Sequence, residues 1–154
     1  MNNGQARTLP ILDAVIAQLE LRMPDFTVEY FPENPAAYRL NNPVGALLVS
    51  YPGSAFQVQP GTGQNAASLP SVGRPQSRLM GIVVTVVLRQ LNGREGAIGV
   101  LDDVRDALRG FKPPGCRSGV VFTRERFLGQ VDGLWQYALD AGTTTWDGAP
   151  GQTS

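Results

Sequence analysis

Apolar residues set the first element. Leu12, Val15, Ile16, Leu19 and Met23 recur at spacings of three and four, one face of an amphipathic helix over residues 9–23. Thr8 stands where an N-cap belongs, and Pro10 fits a first turn whose amides need no partner. Pro24 ends the run, because proline lacks the amide hydrogen and clashes with the preceding turn. The period then changes to two. Phe26, Val28 and Tyr30 alternate with Thr27, Glu29 and Phe31, a half-buried strand. Pro32–Pro43, with three prolines and three asparagines, reads as a structured loop. Val44–Tyr51 is a nearly unbroken apolar run between two prolines, and its length and flanks favour a central strand over a helix.

Pro52–Ser77 breaks the pattern. It holds four each of Pro, Gly, Ser and Gln and one charge, Arg74, which predicts a long mobile, protease-sensitive loop, with Ala55–Gln59 extending the preceding strand before order is lost. Arg78–Leu91 is the strongest strand signal. Met80, Ile82, Val84, Val86 and Leu88 form one face and Leu79, Val83 and Val87 the other, as in a strand covered on both sides or bent into an interface. Ile98, Leu101, Val104 and Leu108 mark a second helix over residues 95–109, closed by Gly110 in a left-handed conformation. Val120–Phe127 and Leu134–Trp146 read as strands joined through Gly129–Gly133 in a hairpin. The expected fold is α+β: a mainly antiparallel sheet with both helices packed on one face. Residues 1–146 form one domain, and 147–154, rich in Gly and polar residues, a disordered tail.

Composition narrows the function. A chain of 154 residues buries roughly 70% of its extended-chain surface, enough for one core. Thirteen basic and thirteen acidic side chains cancel, so no bulk field draws it to DNA or an anionic membrane. The longest apolar run, Leu79–Leu88, is about half of what crosses a bilayer. With no histidine, zinc sites built from Cys and His and His-dependent nucleophile systems are excluded. Cys116, the only cysteine, has no internal disulfide partner, which suits a reducing cytoplasm, and after its Pro-Pro-Gly turn it reads as a small core filler. The polar N-terminus carries no signal-peptide pattern. No cofactor site is legible, and the expectation is a protein that is not an enzyme.

The remaining candidates have bland counterparts. Gly61-Thr62-Gly63 lacks the Lys-Ser/Thr or third glycine of a phosphate loop and reads as plain loop. Asp102 and Asp103 diverge by about 100° on a helix, whereas Asp102 with Arg105 and Asp106 with Arg109 are spaced as surface ion pairs. Arg124 and Arg126 share one strand face with Glu125 on the other, either solvent-facing or lining a subunit or DNA-facing surface. Trp135, Tyr137 and Trp146 are placed together on one face of the last strand, as core or as an anchor for a partner.

Several segments in order carry a resemblance. Ala36-Ala37-Tyr38-Arg39-Leu40 leads into Pro43–Tyr51 and Gly53-Ser54; Val84–Val87, Leu101–Arg105, Gly110–Cys116, Arg124–Phe127 and Trp135-Gln136-Tyr137 follow. This pattern over residues 10–146 is similar to the Mu-type phage and prophage tail-assembly proteins of the tail terminator class. The resemblance implies a homo-hexameric ring on the finished tail, in the host cytoplasm during assembly and then at the head-proximal end of the virion. The ring stops growth of the tube and sheath of a contractile tail and offers a face for head docking. Its partners would be itself, tube and sheath proteins and neck connectors, with genomic DNA passing through the lumen without sequence-specific binding and no membrane involved. On that reading Arg74, Arg78, Arg124, Arg126 and Phe56 are the assembly-interface candidates. The alternatives are another neck or head–tail connector, or a small ligand-binding module with Arg124, Arg126 and a carboxylate such as Glu29 or Asp140 around a pocket.

Overall fold

The computed structural model describes residues 7–58, 76–89 and 93–147. Helix α1 (Thr8–Arg22) leads to β1 (Thr27–Tyr30), a 3-10 turn at Pro35–Ala37, β2 (Gly45–Ser50), β3 (Ser54–Val58), β4 (Gln76–Arg89), α2 (Gly93–Leu108), β5 (Val121–Val131) and β6 (Leu134–Asp147). The strands form one sheet in the order β1-β2-β4-β6-β5, with β3 also on β4. All pairs are antiparallel except β1 with β2. The fold is α+β and mainly antiparallel, as the chain pattern predicts.

Both helices cover the same face. Ile11, Leu12, Val15 and Leu19 of α1 and Leu101, Val104 and Leu108 of α2 pack on Leu47, Val49, Met80, Ile82, Val84, Val86 and Leu139. Each such side chain contributes roughly 1.5–3 kcal/mol by leaving water. Cys116 is buried at the rim of this core, as its turn context implies.

The second face is covered at one end only. Ala46, Leu48 and Val87 pack beneath Tyr38, Leu40 and Leu134. The 31–43 segment is fixed there by polar groups: Arg89 donates to the Leu40 carbonyl at 2.6 Å and the Asn42 carbonyl at 2.9 Å. The Asn42 side chain accepts from the Val44 and Gly45 amides at 2.7 and 3.1 Å, turning the chain into β2. Further along the same face of β4, Leu79 is exposed, so the two-sided apolar strand is sealed on the helix side and graded on the other.

Four expectations are corrected. Within Pro52–Ser77 the expected strand at Ala55–Gln59 is present as β3, but as a strand of its own paired along β4 from Ser54↔Met80 to Val58↔Gln76, and β4 already begins at Gln76. Residues 59–75 of that stretch, including Arg74 and Gly61-Thr62-Gly63, lie outside the described residues, as does most of the predicted tail. Thr8 does not cap α1: the N-cap position is Arg7, with no side-chain bond, and the Thr8 hydroxyl serves Arg78 instead. The hairpin turn is only Asp132-Gly133, at φ +53° and +79°, the two-residue turn that matches strand twist. Finally, Trp146 lies on the opposite face from Trp135 and Tyr137, because the unbroken β4–β6 register leaves even and odd positions on different faces.

Candidate assembly surface

β5 is the outermost strand, and its inward register slips between Phe122 and Arg124 and again between Phe127 and Gly129. Thr123 and Leu128 are therefore extra residues, bulges that bend the edge and leave Arg124–Phe127 as its regular stretch. Within that stretch the side chains divide by face. Glu125 points to the helix side and receives Arg105 of α2, which also holds Asp102. Asp106 and Arg109 pair at 2.8 Å, so both predicted helix-surface ion pairs are present.

Arg124 and Arg126 point to the helix-free face. Asp140 of β6 serves both: Arg126 Nη2 is 2.9 Å from Oδ1 and Arg124 Nε 3.8 Å from Oδ2. One carboxylate thus faces two guanidinium groups, a local excess of positive charge. The Arg124 side chain is 64% exposed, and the Arg126 Nε is buried with no hydrogen-bond partner. Phe127, on the helix side, is 55% exposed and lies 5.7 Å from the Trp135 ring and 5.1 Å from Tyr137. Trp135 and Tyr137 pack on the core, while Trp146 sits under the Arg117 guanidinium at 4.2 Å.

Arg78 is not a surface residue. It is 6% exposed, and its guanidinium donates to Ser54 Oγ at 3.0 Å, Thr8 Oγ1 at 2.8 Å and the Tyr51 hydroxyl at 3.2 Å. Among the described residues no carboxylate pairs with it; the Tyr51 and Phe56 rings flank it at 5.8 and 5.9 Å. A hydrogen bond shared with Ser54 and one received from Arg78 pull the Tyr51 hydroxyl below the usual phenol range. Phe56, opposite Arg78 on β3, is 49% exposed and remains a surface candidate.

The structure brings Arg124, Arg126 and Asp140 together but puts Glu29 on β1, at the far edge, where the Tyr38 hydroxyl donates to it at 3.3 Å. A groove of about 290 Å³ that the sequence does not announce lies between the 31–43 segment and the hairpin, lined by Phe31, Tyr38, Leu48, Val87, Leu134 and Gln136 among others. Its walls come from four separate stretches of chain. Burial pushes the Cys116 thiol up, away from the reactive thiolate. Among the described residues, no three His, Cys, Asp or Glu side chains gather as a metal-ligand set and no helix is long and apolar enough to cross a membrane.

A family model described as Gp37 protein matches residues 15–149, from the middle of α1 to just beyond β6. The chain belongs to the Gp37 protein family. That family is bacteriophage-associated, so this is a phage protein, of the virion or of its assembly in the host cell. The Gp37 match takes in every strand of the sheet and all of the β5 edge. No curated protein matches the chain.

Proposed function

We propose that this Gp37 family member is a non-catalytic structural subunit of the phage tail, a terminator that assembles as a ring. The ring caps tube and sheath, ends their polymerisation and offers the head-docking surface. The observation that carries this reading is the β5 edge: among the described residues its outer side has no strand partner, and it carries surplus arginine charge and exposed Val121, Phe127, Leu128 and Val131. Exposed apolar side chains along an open strand edge mark a place where another chain pairs. The Gp37 membership supports a phage setting for that pairing.

The experiment is solution mass by light scattering at several concentrations, followed by negative-stain imaging. A species at about six times the 16.5 kDa monomer, seen as a ring with a central hole, is the expected result. If the subunit closes its ring only on a tail tip, added polymerised tube acquires capped ends. A monomer that also ignores the tube refutes the proposal. The groove beside Tyr38 favours a second reading, a small ligand-binding module, which a ligand-induced rise in melting temperature without assembly would support.

A further inference from the structure

The two edges of the sheet complement each other. β1 and β5 are the outermost strands, and among the described residues neither has a strand on its outer side. β1 runs with β2, and each later step across the sheet reverses direction. β1 and β5 therefore point in opposite directions. Two copies set side by side with the same face up bring β5 of one against β1 of the next in antiparallel sense, the pairing that needs no change in either.

The heights agree as well. Followed across the sheet, Glu29 is level with Leu48, Thr85, Ala138 and Arg126, and Tyr30 with Val49, Val84, Leu139 and Glu125. β1 is four residues long, Thr27–Tyr30, and so is the regular stretch of β5 between its bulges, Arg124–Phe127. The chemistry matches face by face. On the helix-free side β5 carries Arg124 and Arg126 with one shared carboxylate, while β1 carries the exposed Glu29, with Asp25 and Glu33 nearby in the chain. On the helix side both edges present an exposed ring, Phe127 and Tyr30.

We propose that copies of this protein associate head to tail by adding β5 of one to β1 of the next. At that height Arg126 stands opposite the neighbour's Glu29 with Arg124 diagonal to it, and Phe127 stands opposite its Val28 and diagonal to its Tyr30. The inference rests on the ring reading and names the surface that would build the ring. Bulges and charges on a strand edge ordinarily discourage pairing. Here they restrict it, since the bulges admit only a short strand and the arginines require an acidic one. The contact uses two different patches, so it propagates, and it closes into a ring when the turn per copy allows. Sheet twist supplies a turn at every junction.

Charge exchange tests the contact in the full-length chain. Arg124→Glu and Glu29→Lys alter exposed side chains, so far-UV circular dichroism and melting should show intact subunits. Each alone is expected to weaken self-association by about tenfold to a hundredfold, since like charges then meet at the junction. Both in one chain set the new lysine against the new glutamate with Arg126 still cationic beside them, so part of the loss should be recovered. Association is read by light scattering, with polymerised tube added if the ring forms only there. Rings that persist unchanged in all variants overturn the β1–β5 contact and leave the ring reading standing. Singles that weaken assembly without recovery in the double place the residues in separate contacts, which also overturns it. A wild-type chain that never assembles, alone or on tube, removes the ring reading and this contact with it.

Discussion

Replacing Gly119 by alanine is expected to destabilise the subunit sharply, while the same change at Gly99 stabilises it. A Cβ at Gly119 would lie 2.7 Å from the carbonyl carbon and oxygen of Gly110 and 2.8 Å from its Cα, all of them backbone atoms. Gly110 is itself held at φ +77° where α2 ends. Two hydrogen bonds lock this crossing: the Gly110 amide donates to the Val120 carbonyl at 3.2 Å, and the Val120 amide to the Phe111 carbonyl at 2.8 Å. Alanine forces these strands of chain apart. Overpacking strain of about 1–3 kcal/mol adds to about 0.5–1.5 kcal/mol for a weakened hydrogen bond, so the expected loss is about 2–4 kcal/mol. Gly99 is exposed within α2 with nothing within 4 Å of the new Cβ. There alanine should add about 0.5–1 kcal/mol by lowering the entropy of the unfolded chain. In a domain of this size the melting temperature moves about 2–4 °C per kcal/mol, so Gly119→Ala should melt about 5–15 °C lower and Gly99→Ala about 1–4 °C higher. Urea titrations at unchanged m-value measure the same differences. A Gly119→Ala variant within about 0.5 kcal/mol of wild type, at the level of an ordinary surface substitution, would refute the reasoning.

Alkaline titration should order Tyr51, Tyr38 and Tyr30. Tyr51 ionises first, and Tyr38 is raised by burial and by Glu29, while burial and the hydrogen bond to Asp13 push Tyr30 up to about 12. Because the folded Tyr30 pKa lies above the ordinary phenol value of 10.0, its contribution is whole below that pH and is lost as pH climbs to about 12. Phenolate absorbance checks the order, and Tyr51→Phe must delete the earliest of these phases; loss of the latest would contradict it. Arg105→Ala severs α2 from β5 at Glu125 and removes the Asp102 pair, at a cost of about 1 kcal/mol for two partly exposed bridges. Melting in low and high salt should show the gap narrowing as screening grows; a gap that salt does not change would assign the loss to packing.

What the sequence revealed and what it hid divide by the range of the cause. The period-two run of β4 and the period of α1 are local, and both faces they predict are the faces buried. β3 was only half visible, because Ser-Ala-Phe-Gln-Val has no alternation of its own and becomes a strand by lying along β4. Gly129 reads as turn but sits at φ +136° beside a bulge, so β5 continues to Val131. Arg78 reads as a surface charge at a strand end. Its burial depends on hydroxyls 24, 27 and 70 residues away in the chain, which no spacing rule connects. The pairing of Arg124 and Arg126 around Asp140 needs the β5–β6 register, which the bulge at Thr123 sets.

The same inventory bears on what kind of function the chain performs. One sheet face is consumed by the helices, and the reactive groups on that side are committed. Cys116 is buried with its thiol held protonated, and Tyr51, although lowered, is occupied by Ser54 and Arg78. Arg105 and Arg109 are spent on carboxylates of their own helix and of β5. Charge in excess of its partners is left at Arg124 and Arg126, on an edge that also exposes rings and backbone. A cation on an open strand edge recognises; it does not by itself transfer protons, since a guanidinium keeps its charge throughout the physiological range. Recognition by a strand edge needs a partner that is extended, complementary in charge and available in the same particle. On the proposed β1–β5 contact another copy of this chain would supply all of these through its β1, and that is the ground for preferring assembly to ligand binding in the groove.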